Sequence, residues 1–529
     1  MTRAADDAVR HAPEGASKIT VASGASPSGP VHLGKFREVL TPHFVGQELR
    51  RRGYEVRHLH SWDDYDRFRR VPVDVDPSFE EHIGRPLSAV PDPYGEYASY
   101  AERWRAPLRP AMAEMGVELE EISQTEKYTS GAYRAQIRTA IDRRDEIEAI
   151  LARHRTKAAA TEDAAPSDAE EEDTSGVGDL ARFPYKPYCR QCGRDTVRLT
   201  AWVDPVLSYE CEVCAYVGET NVETDDDGKL VWKVDWPMRW AYEGVDFEPG
   251  GIDHATPGSS YTVGKEVVRL YGAEAPAFVS YNFVGFAGQV KMSSSKGGVP
   301  TPTEALQILE APILRWLYVR RQPKQAFDVD FGDEVGRVYD EWDALTRKAA
   351  DPAKRDAAVL AWERAAAELV RPAVVVPFRT MSMLADVTQG TAEDAAAHVG
   401  HPVAALEPRL SRAMAWNPNP TVPREEPAER LAELTPTERQ WLELLLERLD
   451  SAVDDESATA VVYGVPKLAH GLPLEAKPTD EVKADQKAFF GLLYDLLIDA
   501  ERGPRLPTLI RGLRARLGDA QLRALLTPR

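Results

Sequence analysis

The sequence predicts an α/β protein, with a parallel-sheet domain, a cysteine-rich insertion and an all-helical C-terminal region. Three observations support this fold class. Near the N-terminus a short β-branched run, a turn rich in glycine, proline and serine, and a helical pattern follow one another. All four cysteines lie within residues 183–222. Beyond residue 331, nearly every segment has the apolar spacing of an amphipathic helix.

The first part of the chain has the order expected of a nucleotide-binding unit. Residues 1–17 are polar and predict a flexible lead-in. A strand at residues 18–23, a turn at 24–30 and a helix from about 31 to 49 then form a strand–turn–helix unit. A second strand candidate at residues 54–61 follows at the distance that a parallel crossover requires. We therefore assign residues 18–95 to the first half of the α/β domain.

An insertion and a helical region account for the remaining chain. Residues 96–229 form the insertion, in which a helical pattern precedes an acidic stretch with few large apolar residues at 156–180. That composition predicts a disordered loop. Alternation of strands and helices returns over residues 230–325, the second half of the α/β domain. Residues 326–529 form the helical connector and tail, which a proline-rich linker interrupts at 416–423.

Composition is that of a soluble globular protein, with 43% hydrophobic and 28% charged residues. No apolar run approaches the roughly 18 residues of a spanning helix, and no apolar leader is present. These features predict a cytoplasmic protein without membrane contact. The net charge of −20 does not exclude a nucleic-acid partner, because binding depends on local patches. Basic residues cluster at 50–52, 67–70, 315–324 and 502–516, although each cluster is also what an ordinary solvated surface shows.

The cysteines form two Cys-x-x-Cys pairs separated by 18 residues: Cys189, Cys192, Cys211 and Cys214. This spacing is typical of a tetrahedral four-thiolate Zn²⁺ site. Four protein ligands leave no position for water, so the predicted role is structural. The alternative is four reduced cysteines without a metal.

Two further patterns are suited to phosphate. The turn and helix start at residues 27–35 place backbone N–H groups and His32 where an anion could bind. Some 260 residues later, the stretch at 291–297 brings Lys291, Lys296 and three serines together. Such a loop can neutralise a triphosphate in a transition state. Taken singly, each pattern is also consistent with an ordinary exposed turn.

Together these two patterns resemble the signature motifs of class I aminoacyl-tRNA synthetases. The first ends in Lys35 where the family usually has His or Asn, and the second has Ser294 where a lysine is common. Stretches at 61–69, 235–240 and 253–261 are similar to the class I lysyl-tRNA synthetase family, which is best known from archaea. The resemblance implies a Rossmann-like catalytic domain and lysine–tRNA ligase activity. It also implies ATP with Mg²⁺, tRNA(Lys) as partner and a helical anticodon-reading tail. Nothing in the sequence requires more than a monomer, which is the state we expect.

The resemblance also implies roles for individual residues. The expected catalytic residues are His32, Lys291 and Lys296. The expected ATP-binding residues are Pro27, Gly29, His32, Gly34, Lys35, Met292, Ser293, Ser294 and Ser295. The expected lysine-binding residues are Gly24, Ser26, Trp232, His254 and Tyr281. A buried ammonium also needs a carboxylate partner, for which the candidates are Asp63, Asp64 and Asp253. Trp232, His254 and Tyr281 are each also consistent with ordinary structural residues.

Three other functions are compatible with parts of the sequence. A glutamyl- or glutaminyl-type class I synthetase shares the helical tail, but its pocket would require an arginine near Trp232 and Tyr281. An adenylate-forming relative that does not bind tRNA would lack a use for the tail and the basic clusters. A non-catalytic, zinc-containing RNA-binding paralogue would explain the departures at Lys35 and Ser294.

Overall fold

The computed structural model describes residues 1–73, 75–158, 180, 182–286, 299–388, 391–416 and 421–529. The predicted disordered loop at 156–180 falls almost entirely outside these ranges. The loop from Lys291 to Lys296 lies wholly outside them. The chain divides into two compact units. Unit 1 comprises Met1–Leu306, Leu314–Asp330 and Asp356–Leu369, and unit 2 comprises Gln307–Ile313, Phe331–Arg355 and Val370–Arg529.

The centre of unit 1 is a five-stranded sheet in the order β10-β9-β1-β2-β3. Every neighbouring pair in it is parallel. Its strands are β1 (Lys18–Ala25), β2 (Glu55–Trp62), β3 (Glu120–Ser123), β9 (Phe247–Gly251) and β10 (Ala277–Tyr281). The crossover helix from β1 to β2 is α2 (Leu33–Arg51), whose apolar residues pack against the sheet. The predicted α/β class with a parallel sheet is confirmed.

Further helices belong to unit 1. They are α3 (Tyr100–Arg105), α4 (Leu108–Glu114), α5 (Gln124–Thr129), α6 (Arg134–Asp142), α7 (Arg144–Ala158), α8 (Trp232–Glu243), α9 (Ser260–Val267) and α13 (Ala357–Ala366). Two short strands, β11 (Val284–Phe286) and β12 (Phe327–Val329), pair in parallel beside them. Helices α10 (Pro302–Ile308) and α11 (Ala311–Val319) contribute residues to both units.

The expectation of a flexible lead-in over residues 1–17 is wrong. Residues Thr2–His11 form helix α1, which packs against the sheet and α2. Its buried face consists of Ala4, Ala5 and Ala8, in a cluster with Ile19 and Phe247. Because this face is made of alanines, it has no large apolar residue that a search for hydrophobic periodicity would detect.

The insertion carries two small antiparallel sheets. Strands β4 (Tyr185–Pro187) and β8 (Gly228–Leu230) pair with each other. Strands β5 (Val197–Val203), β6 (Val206–Cys211) and β7 (Val217–Asn221) form a three-stranded sheet next to the cysteines. The insertion shares its apolar core with α8 and α9, through residues such as Val234 and Val263. The insertion is therefore part of unit 1, and the finer division of the chain into domains stays a prediction.

Unit 2 consists of helices in the part of the chain that the structure describes. They are α12 (Glu334–Ala349), α14 (Phe378–Thr388), α15 (Ala392–Val399), α16 (Val403–Leu406), α17 (Arg409–Ala415), α18 (Pro436–Arg448), α19 (Asp455–Ala469), α20 (Asp480–Ile498), α21 (Leu506–Leu517) and α22 (Asp519–Leu526). The last five share one leucine-rich core. This confirms the predicted helical C-terminal region. Among the described helices of both units, none is both long and apolar enough to cross a membrane.

Candidate active site

A cavity of about 860 Å³ lies in unit 1 at the ends of its parallel strands. Gly24, Ser61, Gly251 and Tyr281 line it, and each stands at or next to the carboxyl end of its strand. Ligands of open α/β sheets bind at this edge, because the loops that follow the strands converge there. The sheet therefore positions the residues from the glycine-rich turn beside residues that lie more than 200 positions later in the sequence.

One end of the cavity is formed by the start of α2. His32 is the N-cap of this helix, and its Nδ1 accepts a hydrogen bond from the backbone N–H of Lys35 at 3.2 Å. A neutral imidazole that accepts at Nδ1 carries its proton on Nε2, so Nε2 is the donor that can face a phosphate. Gly34 and Lys35 line the same end. The N–H of Leu33 donates to the carbonyl of Pro300, so this helix terminus offers fewer free donors than the sequence predicted.

A second part of the lining, the aromatic end, holds the aromatic residues predicted for lysine. Trp232 begins α8, and its ring stacks on that of Trp236 with 5.5 Å between centroids. The indole Nε1–H of Trp232 donates to the hydroxyl of Ser260 at 3.0 Å, which fixes the plane of the ring. Nδ1 of His254 is buried and has no hydrogen-bond partner among the described residues. A buried ring nitrogen of this kind needs a partner, and a bound substrate can supply it.

Two carboxylates on the cavity wall were missed in the sequence. The hydroxyl of Tyr281 donates to Oε2 of Glu38 at 3.1 Å, and Glu38 also accepts a backbone hydrogen bond from Gly24. Removal from water raises the pKa of Glu38 to about 8, and the negative charge of Glu248 adds to this rise. Burial likewise raises the pKa of Glu248 to about 7, although Trp240 Nε1–H donates to it at 2.6 Å. Both groups favour a cation between them.

The three aspartates that we considered as ammonium partners are placed differently. Asp63 lines the cavity but forms an ion pair with Arg239. Asp64 is buried away from the cavity lining, where it accepts from Arg105 at 2.7 Å and from the hydroxyl of Ser123 at 2.6 Å. Asp253 lines the cavity and is half-buried. Because Asp63 and Asp64 already have cationic partners, Glu38 is better placed than either of them, and Asp253 stays a second candidate.

Arg239, an arginine beside the aromatic end, is itself neutralised. The guanidinium carbon of Arg239 lies 5.6 Å from the ring centroid of Trp232. Asp235 and Asp63 both form ion pairs with this guanidinium, and the paired charges hold the pKa of Arg239 well above its usual range. An arginine engaged by two carboxylates is not available to bind a substrate carboxylate. Arg239 therefore does not supply the free arginine that a glutamate pocket requires.

The four cysteines converge at one point of the insertion. The Sγ atoms of Cys189 and Cys214 are 3.7 Å apart, those of Cys192 and Cys211 are 3.6 Å apart, and all four lie within 4.8 Å of one another. A tetrahedral ion with metal–sulfur bonds of about 2.3 Å requires sulfur atoms roughly 3.8 Å apart, so the geometry fits Zn²⁺. The two pairs have matching turns, because residues Gly193 and Ala215 both have positive φ, 73° and 57°. Four thiolates would give a bound ion a structural role.

The structure thus brings one part of the predicted site together and leaves another undescribed. Gly24, Ser26, His32, Gly34, Lys35, Trp232, His254 and Tyr281 all line the cavity. Pro27 and Gly29 belong to the same turn but are not among its lining residues. Lys291, Met292, Ser293, Ser294, Ser295 and Lys296 lie outside the described residues, so their roles stay predictions.

Comparison with known proteins agrees with the geometry of this cavity. The family model described as "tRNA synthetases class I (K)" matches residues 2–368. A curated protein of Streptomyces coelicolor, named lysine--tRNA ligase, is 47% identical over 96% of this chain and 95% of its own length. A lysine--tRNA ligase of Pyrococcus horikoshii is 33% identical over 94% of both chains. The chain therefore belongs to the class I tRNA synthetases. Within that class the matching model is the (K) group, which confirms the resemblance found in the sequence.

Proposed function

We propose that the chain is a lysine--tRNA ligase, which activates lysine with ATP to lysyl-adenylate and transfers the lysyl group to the 3′ end of tRNA(Lys). One structural observation carries the choice of lysine: the Tyr281–Glu38 pair, beside Glu248, makes the aromatic end of the cavity acidic. The names of the curated relatives support the same substrate.

Each chemical part of lysine has a partner at this end of the cavity. Glu38 accepts from the ε-ammonium, and the hydroxyl of Tyr281 holds the carboxylate in place. The indole face of Trp232 packs against the alkyl stem, for which an aromatic face is a suitable surface. Nδ1 of His254, buried without a partner among the described residues, binds the α-amino or carboxylate end. Gly24 and Ser26 complete the wall at the end of β1.

ATP binds at the other end, with its phosphates near the start of α2. Nε2–H of His32 donates to a phosphate oxygen, since Nδ1 is engaged by Lys35. Gly34 allows the triphosphate to approach the backbone. By resemblance, Lys291 and Lys296 neutralise charge that builds up on the phosphates, together with Mg²⁺ and the serines between the two lysines.

Two displacement steps complete the reaction. The lysine carboxylate attacks the α-phosphorus of ATP, the bond to the β-phosphate breaks, and pyrophosphate leaves. A ribose hydroxyl of the terminal adenosine of tRNA then attacks the lysyl carbonyl, and AMP leaves with the bonding electrons. No protein nucleophile is required, so catalysis consists of positioning and charge stabilisation.

The remaining parts of the chain have supporting roles in this proposal. Zn²⁺ bound by the four cysteines stabilises the insertion. The helical tail in unit 2 binds the anticodon region, where single-stranded bases are read by stacking and hydrogen bonds. The enzyme acts as a monomer in the cytoplasm.

The test is exchange of labelled pyrophosphate into ATP with each of the twenty amino acids, with and without tRNA, followed by charging of tRNA. We expect exchange and charging with lysine. Exchange with glutamate or glutamine in place of lysine would overturn the substrate assignment. A folded, metal-loaded protein that exchanges with no amino acid in either condition would overturn the enzyme assignment and favour an RNA-binding paralogue.

A further inference from the structure

The cavity has a third group of lining residues, which neither lysine nor ATP uses in the proposed reaction. This arginine wall consists of residues from the segment after β2 and from the residues just after the first cysteine pair: Arg67, Arg69, Arg70, Gly84, Asp195 and Thr196. The reaction has a third substrate, the single-stranded end of tRNA. We propose that the arginine wall binds the phosphates of the 3′-terminal nucleotides of tRNA. This inference rests on the proposed function.

The charge of the wall suits a polyanion. Arg69 and Arg70 line the cavity and are exposed. The wall contains three arginines and one acidic residue, Asp195, which pairs with Arg67 at 3.6 Å. The neighbouring Asp66 pairs with Lys229. In a chain with a net charge of −20, a nucleic acid can approach only where cations are locally in excess. The wall provides such an excess in the lining of the cavity where the adenylate forms in the proposed reaction.

The wall is also held in a fixed shape by the first cysteine pair. The N–H of Asp195 donates to the carbonyl of Gly84 at 2.8 Å, and Nε of Arg85 donates to the carbonyl of Cys192 at 3.2 Å. Gly84 has a φ of +90°, and a Cβ there would lie 3.1 Å from the hydroxyl of Thr196. The N–H of Gly84 donates in turn to the carbonyl of Phe68, which lies between Arg67 and Arg69. The backbone of the arginine segment is therefore fixed from the cysteine side before any ligand binds.

The location distinguishes this wall from a general basic surface. Its residues line the same cavity as Gly24, Trp232 and Tyr281, where the lysyl carbonyl must meet the tRNA hydroxyl. A single-stranded RNA end that passes along Arg69 and Arg70 would place its terminal ribose in that cavity. Cations placed there hold the 3′ end without reading its bases, because phosphate contacts position a nucleic acid and carry no sequence information.

The test compares Arg69→Ala/Arg70→Ala with the matched control Arg3→Ala/Arg10→Ala, which removes two exposed arginines of α1 that do not line the cavity. Lysine charging of intact tRNA is measured for the wild-type protein and for both variants. Binding affinity is measured for intact tRNA and for tRNA that lacks its last three nucleotides. Charging of intact tRNA by the wild-type protein comes first, because its failure would overturn the proposed function itself.

For the Arg69/Arg70 variant, we expect KM for intact tRNA to rise on the order of tenfold, and Arg69→Lys/Arg70→Lys to restore most of the loss. The slope of log affinity against log salt should fall by about 1.4, since each single-strand phosphate contact contributes about 0.7. Affinity for the truncated tRNA should be the same in all proteins. An unchanged KM, or an equal loss with truncated tRNA, would overturn the assignment to the 3′ end.

Discussion

The hydroxyl of Tyr281 donates to the carboxylate of Glu38 at 3.1 Å, although the two residues are 243 positions apart in the chain. Tyr281 ends strand β10, and Glu38 lies one turn after Gly34 in helix α2. The pair joins a residue that resemblance had assigned to lysine with a carboxylate that nothing in the sequence had singled out. It locates the acidic end of the cavity and leads to the first two predictions.

Replacing Glu38 by Gln should weaken lysine binding by about 2–3 kcal/mol, because a charged partner of a partly buried ammonium is lost. This corresponds to a KM for lysine roughly 30 to 150 times higher. Tyr281→Phe removes one hydrogen bond and should cost about 1 kcal/mol. Pyrophosphate exchange at varied lysine concentrations measures both. If Glu38→Gln has little effect while Glu248→Gln raises KM, then Glu248 is the partner of the ammonium.

Lysine binding at neutral pH should release a proton. The pKa of Glu38 is raised to about 8, so at pH 7 the carboxyl group is mostly protonated in the free protein and must ionise to pair with the ammonium. We expect release of about 0.9 proton at pH 7, and a lysine affinity that increases with pH up to about 8. Calorimetry in two buffers with different ionisation enthalpies measures the release. The Glu38→Gln variant is the control and should release no proton from this group.

Unit 1 should lose stability as the pH falls below 6.5, because of two buried histidines in β2. Burial lowers the pKa of His58 from 6.5 to about 3 and that of His60 to about 4, with neighbouring positive charge on Arg50 and Arg105 lowering them further. The unfolded chain then binds protons that the folded chain does not, so stability is lost as pH falls below 6.5. For His58 alone the free energy of unfolding should drop by about 2–3 kcal/mol between pH 6.5 and 4.5.

Urea unfolding at a series of pH values tests this effect. The variant His58→Phe removes one titrating group from β2 while keeping an aromatic ring of similar size. Its stability should depend less steeply on pH over the same interval. A slope identical to that of the wild-type protein would contradict the assignment to His58.

The helical unit depends on one buried ion cluster. Arg409 donates to Glu310 at 2.7 Å and to Asp343 at 2.8 and 2.9 Å, and all three side chains are buried. Arg409→Met leaves two carboxylates without their cation and should lower the free energy of unfolding by about 3–5 kcal/mol. Arg379→Met is the matched control, since its pair with Asp340 is exposed and should contribute less than about 1 kcal/mol. Equal effects of the two variants would contradict this account.

Metal analysis should find one Zn²⁺ per chain. Cys214→Ser removes a thiolate that stands 3.7 Å from Cys189, so the variant should lose zinc and unfold at a lower temperature than the wild-type protein. A strong chelator should have the same effect on the wild-type protein and none on the variant. A metal-free wild-type protein with unchanged thermal stability would show that the thiols act without an ion.

Features that depend on residues close together in the chain could be predicted from the sequence. The Cys-x-x-Cys pairs, the turn around His32 and the parallel sheet each depend on local spacing, and the structure contains them where the patterns place them. Glu38 could not be identified in this way, because its role arises only when β10 brings Tyr281 beside α2. A faint signal existed, since Glu38 follows Gly34 by four residues and so shares its helix face.

Buried polar groups were the other source of error. Arg315 belongs to a basic cluster that is equally consistent with a solvated surface, yet it is fully buried and donates to the backbone carbonyls of Met115 and Arg364. An arginine that satisfies backbone carbonyls leaves no pattern in the sequence around it. Asp64 is a similar case, because its partner Arg105 lies 41 residues away.

The acidic end of the cavity also determines which mistakes the enzyme would make. An acidic side chain supplies no cation to pair with Glu38 and Glu248, and its own carboxylate would be desolvated beside two groups that already resist ionisation, so acidic amino acids are disfavoured. A cation one methylene shorter than lysine meets no such penalty, and a missing methylene changes binding by only about 1–3 kcal/mol. Ornithine is therefore the expected competitor. Selection of lysine over ornithine would therefore depend on the length of the cavity and not on its charge.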